Sequence, residues 1–293
     1  MDTVVGHNAQ KSALQKNKNV NVWLFCGKRG IGKASLARAF ARHVASTDTL
    51  EAHPDVIMIE DQSSPIGIEK IHKMRNFLHM SAIRAERKIV ILDGLDGLNA
   101  STANSMLKIL EEPPENSLIL LISHNLYGVH VVIRSRCVTL RFSELTQVET
   151  RKVIRMNFPN INIEEKAISL YPGTPGMVTG DIEKEISLYD NFLSLIRKEN
   201  KTSALVDNML ETDLPMHKVE YLGLKAMRDA IYGVVKLQKS NDYPLDGHDI
   251  SLMTRKYFKA REVFSTSRRL HAHREATIFR IVEIISNLLR QES

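Results

Sequence analysis

Apolar runs alternate with amphipathic stretches through the first half of the chain. Four short apolar runs predict buried strands and a fifth run predicts an edge strand; in chain order they are residues 22–25, 56–59, 88–93, 118–123 and 138–142. Between them, apolar residues at helical spacing predict helices that end near residue 43 and that span 67–80 and 99–112. Strands that alternate with helices predict a parallel sheet with helices on both faces.

The second half has a different pattern. Residues 144–182 contain short helical stretches and a turn rich in proline and glycine, which predicts a small helical lid. From residue 183 onward helical stripes dominate, and the clearest contains Ile278, Ile281, Ile285 and Leu288. The predicted organisation is an α/β domain at 1–142, a helical lid at 143–182 and an all-α domain at 183–293.

A glycine-rich loop follows the first predicted strand. Strand, glycine loop, lysine and helix is the context of a phosphate-binding loop, because glycines let backbone N–H groups surround an anion. The lysine and the helix N-terminus add positive charge. We therefore predict a nucleotide-binding loop formed by Gly27, Gly30, Gly32 and Lys33.

The residue after the loop lysine departs from this motif. That position normally carries Ser or Thr, whose hydroxyl ligates Mg²⁺, but here it is Ala34. Ser35 comes one place later, about 100° around the helix, and is expected to point elsewhere. The loop is therefore expected to hold a metal poorly, and the central question is whether the chain hydrolyses ATP.

Polar residues end two of the predicted strands. Asp93 ends the third strand, where an aspartate holds Mg²⁺ in P-loop folds; the alternative is a capping or turn aspartate. Gly94 follows, in the place where many such ATPases carry a glutamate. His124 and Asn125 follow the fourth strand, and they are equally consistent with a sensor of the terminal phosphate and with an ordinary strand-end turn.

Composition and charge narrow the class of protein. The 293 residues are 43% hydrophobic and 25% charged, as in ordinary globular proteins, and two cysteines are too few for a disulfide framework. No run approaches the ~20 apolar residues of a membrane span, and the start lacks a signal-peptide pattern, so a cytoplasmic protein without a membrane partner is expected. A net charge of +6 is compatible with nucleic acid nearby, but direct DNA contact stays open.

Several motifs occur in one order: the glycine loop, the sequence His-Pro-Asp at 53–55, the strand that ends at Asp93, the block Asn104–Pro114 and the block Ile133–Cys137. Together they resemble the bacterial clamp-loader branch of the AAA+ ATPases, and within it the delta-prime type of DNA polymerase III subunit. The resemblance covers roughly the first 180 residues. It implies a P-loop AAA+ domain, a helical lid and an all-α collar for oligomerisation.

The resemblance also implies a role and partners. In clamp loaders five related subunits form an incomplete ring, ATP lies at subunit interfaces, and the ring clasps a sliding clamp at a primer–template junction. The arginine of the Ser-Arg-Cys block reaches the neighbour's ATP site, and that role falls on Arg136 as an arginine finger acting in trans. The implied partners are tau/gamma and delta subunits and, indirectly, the sliding clamp and DNA. A structural salt bridge is the alternative for Arg136.

Three departures from the family's ATPase pattern favour a non-hydrolysing member. Ala34 lacks the metal-binding hydroxyl, Gly94 lacks the carboxylate, and Met177 stands where active relatives carry a lid arginine. The chain is then a subunit of a DNA-directed DNA polymerase holoenzyme with weak or absent ATPase activity and no polymerase active site. Its loop is expected either to bind ATP or ADP weakly or to stay empty.

Zinc is not expected, because residues 44–60 lack the four cysteines that many relatives carry there. The close histidines His271 and His273 are expected on solvated surface. Two rival functions remain open at this point. One is an active AAA+ ATPase, either a tau/gamma-type subunit or a related helicase motor. The other is a stand-alone DNA-binding or nucleotide-sensing module without ring partners.

Overall fold

The architecture is known from a computed structural model of the whole chain. The residues that it describes are 1, 3–60, 66–125, 128–159, 164–197, 207, 210, 213–239, 247–270 and 273–288. The chain divides into two compact units, residues 1–178 and 179–293. The further predicted division at residue 142 stays a prediction.

A five-stranded parallel sheet organises the first unit. Its strands are β1 (Val22–Cys26), β2 (Val56–Glu60), β3 (Lys88–Asp93), β4 (Ser117–Ser123) and β5 (Val138–Arg141). The strand order is β2-β3-β4-β1-β5, so β5 lies at an edge, as the sequence predicts. Helices cover both faces of the central strands in such sheets, so the sequences of these strands are continuous apolar runs. Accordingly, β1 and β4 are buried along their whole lengths.

Helices cover both faces of this sheet. They are α1 (Asn8–Lys16), α2 (Lys33–Ala45), α3 (Ile68–Leu78), α4 (Ala100–Glu111) and α5 (Val131–Arg134). Successive side chains of a strand point to opposite faces. Leu24 of β1 accordingly packs in the cluster under α3, α4 and α5, whereas Trp23 packs in the cluster under α1 and α2. The predicted α/β fold with helices on both faces is confirmed.

The remainder of the first unit is helical. It contains α6 (Gln147–Asn157), α7 (Glu164–Leu170) and a short 3-10 helix at Pro175–Met177. Thr146 begins α6 with a capping box, because its hydroxyl accepts from the Glu149 amide while the Glu149 carboxylate accepts from the Thr146 amide.

The second unit is helical in its described residues, as predicted for the C-terminal domain. Its long helices are α8 (Ile182–Arg197), α9 (Met216–Lys239), α10 (Gly247–Leu270) and α11 (Arg274–Ser286). The predicted stripe of Ile278, Ile281 and Ile285 is buried on α11. His271 lies outside the described residues, so the expectation for the two close histidines stays untested. None of the described helices has the length and apolar character needed to cross a bilayer.

Candidate functional site

The glycine loop lies at the carboxyl end of the sheet, where ligands bind in open parallel sheets. It connects β1 to α2, and Gly27 donates from its amide to Ser123 O at the end of β4 (3.4 Å). Gly32 is the N-cap of α2. Gly30 has a φ of +80°, a conformation that L-residues with a side chain rarely adopt. The predicted loop residues are therefore adjacent, in the strand–loop–helix context that a phosphate-binding loop requires.

Lys33 is folded back onto its own loop. Its ammonium donates to Gly27 O at 2.6 Å and to Lys28 O at 2.7 Å, and the side chain is buried. Burial lowers the pKa of Lys33 to about 8, although the charge of Asp93 acts in the opposite direction. These two carbonyl groups engage two of the three ammonium hydrogens and hold the side chain over the loop.

The residues after Lys33 provide no hydroxyl at the loop. Ala34 is partly buried and packs against the core under α2, while Ser35 is exposed. The alanine methyl group cannot ligate a cation.

Asp93 lies beside the loop at the end of β3. Its Oδ1 is 3.5 Å from Nε2 of His124, the residue after β4, so the structure brings together the two strand-end groups that the sequence singles out. Burial raises the pKa of Asp93, and the nearby charge of Lys33 offsets this only in part. The aspartate is thus poised beside the loop lysine, with an imidazole as its neighbour.

Asp96 organises the end of β4, a role that the sequence does not reveal. Its carboxylate accepts from the backbone amides of His124 (2.8 Å) and Asn125 (3.0 Å) and from the Ser123 hydroxyl. These partners are 27 to 29 residues away along the chain, so no local pattern could have indicated the contact. Asp96 holds in place the turn that carries His124.

His7 also contacts the loop and was not predicted as a site residue. Its Nε2 lies 2.6 Å from Ile31 O, and its ring packs edge-on against Phe142 with centroids 4.8 Å apart. Burial lowers the pKa of this imidazole. The segment before α1 is thereby attached to the glycine loop.

The turn at residues 174–177 closes on the glycine loop from the other side. Gly176 donates from its amide to Gly30 O at 2.8 Å. A Cβ on Gly30 would lie 2.7 Å from Met177 Cγ and 2.8 Å from the Met177 amide nitrogen, so only glycine permits this approach. Met177 therefore touches the loop directly, at the position where the family resemblance expects an arginine in active relatives.

Arg136 lies apart from the loop residues, just after α5. Its Nε donates to Glu111 Oε1 at 2.7 Å, and its Nη2 contacts the same oxygen. Its Nη1 donates to Val132 O at 2.8 Å. The Arg136 side chain is about one-third exposed (32%), so a guanidinium held at the surface is within reach of a second protein.

Two exposed apolar residues lie near Arg136 in the sequence. Val131 and Val138 are 65% and 46% exposed, the second on the edge strand β5. Cys137 packs against the core and donates from Sγ to Ile133 O (3.1 Å). Burial raises the pKa of the Cys137 thiol to about 12.

The loop fits a magnesium–nucleotide complex poorly. Oδ1 of Asp93 is buried without a hydrogen bond from any described residue, which suits a cation, but Ala34 and Gly94 contribute no ligand beside it. Within the described ranges, no group of three or more histidine, cysteine or acidic side chains could hold a metal ion. The expectation that the chain lacks zinc stays an expectation.

The fold and the loop define an α/β domain of the P-loop type. Its parallel sheet has a glycine loop at the carboxyl end, a lysine at the start of the next helix and a strand-end aspartate near that lysine. The sequence model of the family described as "DNA polymerase III, delta subunit" matches residues 7–146, just under half of the chain. This part of the chain is similar to that family.

Individual relatives are similar to the chain over longer stretches. The DNA polymerase III subunit delta' of Pseudomonas aeruginosa is 24% identical over 73% of this chain and 78% of its own length. The tau/gamma subunit of Haemophilus influenzae is 27% identical over 69% of this chain, but the match spans only 31% of that relative. A crystal structure of a gamma subunit-related protein from Thermotoga maritima, 17% identical, covers 96% of this chain and 99% of that chain with a TM-score of 0.50, which shows a shared fold.

Proposed function

We propose that this chain is a delta-prime-type subunit of the DNA polymerase III clamp loader that does not hydrolyse ATP. It assembles with tau/gamma and delta subunits and supports loading of the sliding clamp onto primer–template DNA. Through Arg136 it supplies an arginine finger to the ATP site of an adjoining subunit. Relatives of both the delta' and the tau/gamma type match the chain, so the choice between them rests on the chemistry of the loop.

The observation that carries this proposal is the side-chain chemistry around the glycine loop. Ala34, Gly94 and Met177 each lack the group that hydrolysis requires at that place, and Met177 packs against Gly30. Hydrolysis needs a positioned metal and charged groups aimed at the developing phosphate charge. The absence of these three groups favours a subunit that contributes to ATP hydrolysis at the site of another subunit.

The location of Arg136 supports the second part of the proposal. A guanidinium forms two parallel hydrogen bonds with phosphate oxygens, which suits it to phosphate held by another chain. Arg136 is partly exposed, and Val131 and Val138 of the same segment are exposed too. Arginine is enriched in protein–protein interfaces relative to the rest of the surface.

The test is ATP hydrolysis by a complex reconstituted with the tau/gamma and delta subunits. Arg136→Ala is expected to leave assembly intact and to lower the rate by the share of the one site that it serves, since a finger contributes ~10³–10⁵ at its own site while other sites keep theirs. Arg134→Ala, two residues away in α5, is the matched control and is expected to leave the rate unchanged.

Three results would count against the proposal. An unchanged rate with Arg136→Ala would reject the finger. ATP turnover by the purified chain alone, abolished by Lys33→Ala, would favour the active-ATPase alternative, which the charge of Asp93 near Lys33 keeps chemically reasonable. Failure to co-assemble with tau/gamma and delta subunits would instead favour a stand-alone module.

A further inference from the structure

The guanidinium of Arg136 is held along one edge. Nε and Nη2, the nitrogens of its side-on edge, both contact Oε1 of Glu111. Nη1 donates to Val132 O at 2.8 Å and lies 3.2 Å from Ser135 Oγ. Ser135 Oγ in turn donates to Val132 O at 3.1 Å.

The contacts of Arg136 use only part of the hydrogen-bonding capacity of its guanidinium. A guanidinium carries five N–H hydrogens, one on Nε and two on each terminal nitrogen. Glu111 takes the Nε hydrogen and one Nη2 hydrogen, while Nη1 contacts Val132 O and Ser135 Oγ. The second Nη2 hydrogen lies on the end-on edge, where a phosphate oxygen can accept it.

The groups that hold Arg136 are themselves anchored. Glu111 is the last residue of α4, directly after Ile109 and Leu110, both buried in the core. On the other side, Ile133 is fully buried and Cys137 is tied to its carbonyl. The carboxylate and the arginine backbone therefore project from two packed elements, and their contact restricts a side chain that otherwise has many rotamers.

We propose that Glu111 is the positioning residue for Arg136: its carboxylate holds the side-on edge of the guanidinium so that the end-on edge faces the adjoining subunit. This inference rests on the proposed function of Arg136 and adds the residue through which that function is controlled. The cost of reaching a phosphate is lower for a side chain that is already oriented. Glu112, the next residue in the chain, is also exposed and is a suitable control position.

The experiment uses the reconstituted complex with Glu111→Ala, Glu111→Gln and the matched control Glu112→Gln. Glu111→Ala is expected to lower kcat for ATP hydrolysis by no more than Arg136→Ala does, because an arginine that is not held in place reaches the required geometry less often. Glu111→Gln keeps an acceptor oxygen and is expected to lose less, while Glu112→Gln loses nothing. KM for ATP is expected to stay unchanged in all three variants.

A double mutant separates positioning from a general structural effect. If Glu111 acts through Arg136, adding Glu111→Ala to Arg136→Ala changes the rate by less than about 1.5-fold, whereas independent effects would multiply. The thermal unfolding midpoint of each variant identifies loss of folding, and Glu111→Gln stays informative if Glu111→Ala is destabilised.

The outcomes distinguish this inference from the proposed function. If Arg136→Ala lowers the rate but Glu111→Ala does not, the finger stands and the positioning role is overturned. A faster Glu111→Ala complex would make the glutamate a restraint on the finger and would also overturn it. Multiplicative losses in the double mutant would place Glu111 in another pathway. An unchanged rate with Arg136→Ala would overturn both proposals together.

Discussion

Two aspartates near the sheet have the same side chain and opposite environments. Asp55, in the sequence His-Pro-Asp, is fully buried, accepts from the backbone amides of Ile83, Arg84 and Ala85 and pairs with Lys88 at 2.9 Å. Burial alone would raise the pKa of Asp55, but these donors outweigh it and bring the pKa well below its usual range. Asp93, which has fewer donors, has a raised pKa. Asp55 therefore stabilises the fold, whereas Asp93 belongs to the site.

Replacing Asp55 by Asn is expected to destabilise the protein by about 3 kcal/mol, because Lys88 is left as an unpaired buried charge. The Asp55 carboxylate has a folded-state pKa below the unfolded value of about 3.9. Its contribution to the free energy of unfolding is therefore present above about pH 3.9 and is lost as the pH falls. Urea unfolding at several pH values measures both effects. The natural chain should lose stability below about pH 4 as Asp55 is protonated, and Asp55→Asn should lack this part of the pH dependence.

Asp48→Asn is the control for this experiment, because Asp48 is exposed. Equal stability of Asp55→Asn and Asp48→Asn at pH 7 would show that the buried pair with Lys88 contributes nothing.

The elements around the glycine loop are connected by close backbone contacts. The 3-10 turn at 175–177 approaches Gly30 so closely that a side chain has no room, and α2 starts from the same loop. Sequence motifs identify the loop and the turn separately. Their contact depends on how the chain returns to the sheet more than 140 residues later, which no local pattern encodes.

Gly30→Ala is expected to lower stability by about 2 kcal/mol, because a left-handed conformation costs ~1–2 kcal/mol in a residue with a Cβ and the new methyl group would meet the Met177 backbone. Denaturant unfolding measures the loss. Faster hydrogen exchange at the Gly176 amide, which donates to Gly30, would show that the turn has moved away.

Gly128→Ala is the matched control, since a Cβ there would meet its neighbours only at ordinary contact distances of 3.5 Å or more. If Gly30→Ala were as stable as Gly128→Ala and kept the Gly176 amide protected, the close approach of the turn would be refuted.

Each compact unit of the chain buries an acid–lysine pair. In residues 179–293, Lys218 donates to Glu185 at 2.6 Å with both side chains buried, and Thr179 donates to the same oxygen. Burial lowers the pKa of Lys218, although Glu185 opposes the shift. A buried pair of this kind contributes little net stability but is costly to break.

Glu185→Ala is expected to destabilise the protein by about 3 kcal/mol, whereas the double change Glu185→Leu with Lys218→Met is expected to be close to neutral. The single variant should recover stability as the pH rises toward 10, because a lysine whose folded-state pKa is lowered binds fewer protons in the folded than in the unfolded state. Thermal unfolding of both variants across this pH range is the measurement. A double variant as unstable as the single one would mean that the ion pair itself is required.

Strand and helix positions and the glycine loop follow from local sequence. Burial pattern and turn chemistry act over a few residues, which is why the strands at 22–26 and 88–93 and the loop between β1 and α2 could be predicted. Glu111 against Arg136, Asp96 against the end of β4 and Met177 against Gly30 were settled only by the tertiary structure. Each joins residues from separate crossings of the sheet, and their proximity depends on strand order and helix packing, for which the local sequence carries no signal.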